Sequence, residues 1–264
     1  TNPTTAPVPV RSPRFAAGGP DADEYGAQLG YPVAAIFRPR FLVGMFSHFD
    51  RLWEARWVRR AAAASMLNRA DTEPAIGYEY QGRRRTLDDY LASNPATGLL
   101  IARGNTILVE RYQYGRTDTH RLASFSMAKT VVSMLIGIAI EDGAIRSIDD
   151  PAAVYAPLLA GTEYGRTSIR HLLQMSSGVH FDDDRDTERL WLATVAQAGA
   201  GGAEAVKPFN DRHRIGGAIF NYSSAQSHVL GLVLAGAVKR PLTAYLQERI
   251  WQAMAAAADA SWMV

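Results

Sequence analysis

Ser126 and Lys129 stand three positions apart in the segment Ser124-Phe125-Ser126-Met127-Ala128-Lys129, a spacing that can do chemistry. On a helix, residues three apart share one face, so the hydroxyl and the amine would meet there. A serine held beside a base can attack a carbonyl carbon. The choice of lysine is informative in itself, because only three of the 28 basic residues are lysines. Arginine keeps its proton at any pH a protein meets, whereas a desolvated lysine can give its proton up and act as a base. A cap serine and a lysine laying its stem along an apolar helix would leave the same trace, so the surroundings must decide. A second cluster, Phe220-Asn221-Tyr222-Ser223-Ser224, places a phenol and two hydroxyls at the start of another apolar segment. There, one serine could be only a helix cap and Tyr222 only a core tyrosine.

The elements around these residues have legible signals. From Ser126 to Glu141 apolar residues surround the helical axis instead of forming one stripe, which predicts a buried helix. Ser124 is the expected N-cap and Gly143 the expected stop. Ser126 then lies in the first turn, where unpaired backbone N–H groups and the helix dipole favour developing negative charge. Upstream, Gly98–Arg103 and Thr106–Tyr112 are apolar runs joined by Gly104-Asn105, a hairpin signal. Helices are also expected over Phe49–Leu67, Leu87–Leu91 (ended by Asn94-Pro95), Thr167–Met175, Ser223–Val238 and Pro241–Met254. Beyond Gly143 no strand run stands out. Ala198–Ala203 reads as a glycine-rich loop lacking the ending of a phosphate loop. The expected organisation is a flexible, proline-rich tail over 1–30, a strap with helices over 31–95, a hairpin over 96–125, and a helical lobe over 126–264.

Composition removes several classes of function. With 264 residues, 47% of them hydrophobic, the chain can bury a sizeable core. A net charge of +2 is too mild for a nucleic-acid partner, and Arg83-Arg84-Arg85 reads as a solvated loop. The absence of cysteine excludes disulfides, thiolate catalysis and cysteine zinc sites. No apolar run reaches the ~20 residues of a bilayer span, so a soluble protein with no membrane span is expected. The six histidines lack His-Glu-x-x-His spacing, and His180 with Asp182, Asp183 and Asp184 reads as a solvated acidic turn; neither metal nor cofactor is expected. The opening tail is compatible with a removed export signal, leaving exported or periplasmic and cytoplasmic locations both open.

Taken together, Ser126-Met127-Ala128-Lys129 and Tyr222-Ser223-Ser224 resemble the serine β-lactamase and DD-peptidase superfamily, in its class C and esterase branch. The connection between them is similar as well: Glu141-Asp142-Gly143-Ala144-Ile145, Asp149-Asp150-Pro151, and Arg170-His171-Leu172-Leu173-Gln174-Met175-Ser176-Ser177-Gly178. The Tyr-x-Ser form and the aromatic N-terminal strap look most like the 6-aminohexanoate-dimer hydrolase group of amidases and carboxylesterases. No Ser-Asp-Asn triplet and no Gly-x-Ser-x-Gly elbow occurs, which disfavours the class A arrangement and an α/β-hydrolase.

The resemblance implies an α/β (α+β), β-lactamase/transpeptidase-like fold: an antiparallel sheet lobe flanked by helices, plus an all-helical lobe. It implies that Ser126 forms an acyl-enzyme, that Lys129 or Tyr222 takes its proton, and that Tyr222 passes that proton to the leaving group. Ser224 would hydrogen-bond Lys129 or the substrate, and the loop with Phe181, Asp182, Asp183 and Asp184 would border the substrate. The implied substrate is a small ester or linear amide. The alternative is a penicillin-binding or non-catalytic interaction protein that keeps the fold. The family's third motif, Lys-Thr-Gly or His-x-Gly, does not follow Tyr222. The sheet lobe is therefore expected to be incomplete here, the chain being a fragment or a second polypeptide completing it.

Overall fold

The computed structural model describes residues 42–94, 96–196 and 202–263. The expected tail, most of the strap, Pro95 and most of the glycine-rich loop lie outside the described residues. The chain divides into two units: residues up to Ala123 together with Ala255–Met263, and Ser124–Met254.

In the first unit, α1 (Leu42–Phe46) and α2 (Phe49–Leu52) are short, and the expected Phe49–Leu67 helix does not form. Trp53 adopts extended backbone, and the chain continues as β1 (Ala55–Val58). β1 pairs antiparallel with β7 (Ala260–Met263), Val58 opposite Ala260. A strand partner some two hundred positions away overrides the local helical spacing, and β7 is one of the strands that sequence reading did not find. Val58 is buried, while Trp57 stays half out under the Arg121 guanidinium, 4.5 Å from its ring.

β2 (Asn68–Arg69) is followed by β3 (Gly77–Tyr80) and β4 (Arg83–Thr86), which form their own hairpin. The arginine triple is thus a strand, with Arg84 facing Glu79 across the ladder. Thr86 caps α3 (Leu87–Ser93) through a reciprocal box with Asp89. β5 (Gly98–Arg103) and β6 (Thr106–Tyr112) form the expected hairpin, and β2 joins β6 in parallel to give the order β2-β6-β5. Buried Gln113 donates to Ala96 O at 2.7 Å and Leu91 O at 3.3 Å, tying the end of β6 to the chain leaving α3.

The second unit is helical. α4 (Met127–Glu141) ends at Gly143, whose φ of +73° suits the left-handed residue after a helix, with Ile145 N–H returning to Ala139 O at 3.0 Å. Burial covers one side only: Val132, Leu135, Ile136 and Ala139 are inside, while Met127 and Met134 are 68% and 51% exposed. The helix is therefore not enclosed all round, contrary to its apolar pattern. Short helices α5 (Glu163–Arg166) and α6 (Ile169–Leu173) precede α7 (Asp183–Ala196) and α8 (Ala203–Val206).

α9 (Ser224–Val238) packs against α4 and α6, burying Ala225, Val229, Leu230, Val233 and Leu234. At ~25 cal/mol per Å², the valines and leucines among them contribute roughly 1.5–3 kcal/mol each. The chain then runs through α10 (Leu242–Leu246) into a π-turn at Gln247–Trp251. Tyr245 and Arg249 both bond Asp142 beyond the end of α4, and burial together with that carboxylate pushes the Tyr245 phenol up to about 12. Among the described residues no single helix is long and apolar enough to cross a membrane.

Candidate active site

The serine–lysine pair sits at the entrance to α4, one turn apart on one face as expected, but the cap differs from the expectation. Ser124 is not the cap; Ser126 occupies that position, and its side chain makes no capping bond. Its Oγ instead lies 2.8 Å from Lys129 Nζ and 2.8 Å from the Tyr222 hydroxyl. Lys129 Nζ in turn sits 5.1 Å from the centre of the Tyr222 ring. One turn of helix brings the amine to the serine, and the entry to α9 brings the phenol from 96 positions away. The preceding residue, Phe125, has a φ of +43°, a left-handed conformation that a side chain occupies only at a cost. That turn sets Ser126 at the helix mouth, and among the described residues no acceptor takes its backbone N–H.

Chemically this is a hydroxyl oxygen that accepts hydrogen bonds from an amine and a phenol. Ser126 Oγ accepts along both 2.8 Å lines, so its own single proton is left for transfer. A hydroxyl held in this way can act as a nucleophile if a neighbour takes its proton, and an N–H at a helix mouth can hydrogen-bond a developing negative charge. The three side chains are accessible: Tyr222 is 39% exposed and Lys129 half-buried, and the neighbouring Phe125, Met127 and Phe220 are exposed apolar groups.

The other expected site residues are placed differently. Ser224 does not bond Lys129; its backbone N–H donates to Asp183 Oδ1 at 2.6 Å. Phe181 is 2% exposed and packs edge-on against Phe209, ring centres 4.8 Å apart, so its ring belongs to the core. Asp182 pairs with Arg185 at 2.7 Å. Loss of hydration works against its ionisation, but the hydrogen bonds from Arg185 outweigh it and hold the carboxyl below the usual carboxylate range. Ser223 is fully buried beneath Tyr222, next to Tyr164, whose phenol burial pushes above the ordinary tyrosine range.

His180 stacks on His213 at 4.4 Å, and among the described residues no group of three His, Asp or Glu side chains is set to hold a metal. An open cavity of about 270 Å³ among His180, Arg185, Arg189, Phe209 and Asp211 has none of Ser126, Lys129 or Tyr222 in its wall.

Comparison with known proteins now decides the family. The beta-lactamase family profile matches residues 83–257, well over half of the sequence. The chain belongs to the beta-lactamase family. It is 25% identical over 182 residues to the 6-aminohexanoate-dimer hydrolase of Paenarthrobacter ureafaciens, covering 69% of this chain and 42% of that protein. It also superimposes on a Bacillus anthracis protein provisionally described as a 6-aminohexanoate-dimer hydrolase, with a TM-score of 0.76 and 16% identity over 87% of this chain and 63% of that one. The chain thus spans less than half the length of the curated relative. The β-lactamase-like fold expected from the two motifs is the fold observed, with mixed helices and small partial sheets in which β2 joins β6 in parallel where an antiparallel sheet lobe was expected.

What sequence reading missed is the support behind Tyr222. Asn221, Asp183 and Gln226 hold this segment, and only Asn221 lay within a quoted motif. Gly178 is part of the same scaffold: its φ is +76°, and a Cβ there would stand 2.0 Å from Arg214 O. Gly178→Ala is expected to destabilise the unit by about 2–4 kcal/mol, read as a drop of several degrees in Tm; an unchanged melt would contradict this backbone geometry.

Proposed function

We propose that the chain carries the nucleophile of an acyl-serine hydrolase acting on small esters or linear amides, as a carboxylesterase or a 6-aminohexanoate-dimer hydrolase does. The observation that carries this reading is the convergence of Lys129 Nζ and the Tyr222 hydroxyl on Ser126 Oγ, each at 2.8 Å. Ser126 Oγ bonds to the substrate carbonyl carbon and its proton goes to Lys129 or Tyr222. These two groups act as one proton-holding pair, so the formal base is shared between them. The oxyanion is met by the Ser126 N–H, and in this reading a second donor lies outside the described residues, on further polypeptide of this or another chain that completes the sheet lobe.

Collapse of the tetrahedral intermediate breaks the bond to the leaving oxygen or nitrogen, which takes the proton back through Tyr222 and leaves an ester on Ser126. Water activated by the same pair then attacks that ester and frees the acid. The exposed apolar groups around the serine favour an uncharged hydrocarbon acyl chain next to the nucleophile.

The test uses p-nitrophenyl butyrate and a fluorescent penicillin on the full polypeptide. Release of p-nitrophenol, with one butyryl group trapped by acid on the peptide containing Ser126, supports the hydrolase. Stoichiometric penicillin labelling without ester turnover supports a penicillin-binding protein instead. Reaction with neither reagent overturns the serine chemistry.

A further inference from the structure

Tyr222 reaches an exposed serine from the entry to α9. Its side chain is 39% exposed, and the residue that follows, Ser223, makes no side-chain capping bond to α9 although it occupies the N-cap position. A 15-residue apolar helix that begins without its own cap has unpaired N–H donors in its first turn. Here a carboxylate from another element supplies the cap. Asp183, the first residue of α7, accepts the Ser224 N–H at 2.6 Å across 41 positions of sequence. A negative charge at a helix N-terminus is also favoured by the dipole.

The other side of Tyr222 is held as tightly. Asn221 donates its backbone N–H to Met175 O at 2.7 Å and its side-chain amide to Phe181 O at 3.1 Å. Asn221 O accepts from Gln226 Nε2 at 3.0 Å, and Gln226 Oε1 accepts the Ser177 N–H at 3.0 Å. Gln226 is 1% exposed, so both of its bonds are protected from water. Only the bond on the α9 side, from Ser224 to Asp183, is made by a carboxylate on a half-exposed helix start.

We propose that Asp183 is a positioning residue for the hydrolytic reaction: by capping α9 from outside, it fixes the backbone of Tyr222 so that the phenol stays in hydrogen-bond reach of Ser126. This rests on the reading of Tyr222 as part of the proton-transfer pair. Asp183 does not touch the reacting atoms. It acts through the segment 222–224, and proton transfer is sensitive to displacements of about an ångström.

Two substitutions separate geometry from charge. Asp183→Ala removes the acceptor, and Asp183→Asn keeps a carbonyl oxygen in the same place. With p-nitrophenyl butyrate, Asp183→Ala should lower kcat about tenfold with KM nearly unchanged, and Asp183→Asn should stay within about twofold of the native enzyme. If the effect runs through Tyr222, adding Asp183→Ala to Tyr222→Phe should cost little more than Tyr222→Phe alone. Independently of activity, amide hydrogen exchange over residues 219–227 should speed up in Asp183→Ala and not in Asp183→Asn.

Native kcat and native exchange in Asp183→Ala would overturn the assignment, as would a full tenfold loss that persists in the Tyr222→Phe background. If instead Ser126→Ala retains turnover, the hydrolase reading itself fails and the positioning role falls with it. That outcome is distinguishable from a dead Ser126→Ala beside a fully active Asp183→Ala, which overturns the positioning role alone.

Discussion

Ser126→Ala is expected to lower ester turnover by at least about 10⁴-fold, with thermal stability close to that of the native chain. Both halves of this expectation come from the same geometry. The Oγ is the only atom removed, and it takes up the bonds from Lys129 and Tyr222 instead of capping α4. Ser126 is also exposed, so no core packing is lost with it. The deletion therefore takes the attacking atom and little of the fold. Measuring kcat together with a calorimetric melt checks the two halves separately. Turnover within tenfold of native would remove Ser126 from the chemistry, and a collapse of the melt would show that the hydroxyl holds the helix mouth together.

How much of this was legible beforehand follows from which interactions are local. The β5–β6 hairpin was readable because Gly104-Asn105 joins two adjacent apolar runs, and the end of α4 was readable because a glycine follows its last turn. The Ser126–Lys129 contact was readable for the same reason: it spans one helical turn. By contrast, β1 reads as helix because Leu52, Trp53, Arg56 and Trp57 have helical spacing, and its partner β7 lies at the far end of the described chain. Periodicity has no knowledge of such a partner.

The site divides along the same line. Tyr222 is legible through a motif, whereas the hold of Asp183 on the Ser224 N–H from 41 positions away is not, because the sequence offers Asp183 only as one of three aspartates on a loop expected to border the substrate. Phe181 shows the converse case: the family resemblance makes its loop a candidate to border substrate, and in the structure its ring packs on Phe209.

Lys129→Arg and Tyr222→Phe should each cut kcat by two to three orders of magnitude, and the pattern of their losses tells how the Ser126 proton is handled. Arginine keeps a positive charge near Tyr222 and can still donate a hydrogen bond, but it cannot take a proton. Lys129→Arg therefore tests the amine as an acceptor and not as a charge, with an expected loss of about 10³-fold. Tyr222→Phe leaves the ring that faces Lys129 Nζ and removes only the hydroxyl, with an expected loss of about 10²-fold. Because both groups contact the same oxygen, they compete for one proton, and their effects cannot be independent. The double substitution should accordingly fall well short of the product of the single losses. A fully multiplicative result would mean that lysine and tyrosine contribute independently to the same rate-limiting step, whereas a double loss equal to the larger single loss, with the butyryl-enzyme accumulating in only one single variant, would assign them to separate steps. Near-native activity in Lys129→Arg would leave Tyr222 as the sole acceptor and would reduce the lysine at this position to the role any of the chain's arginines could fill.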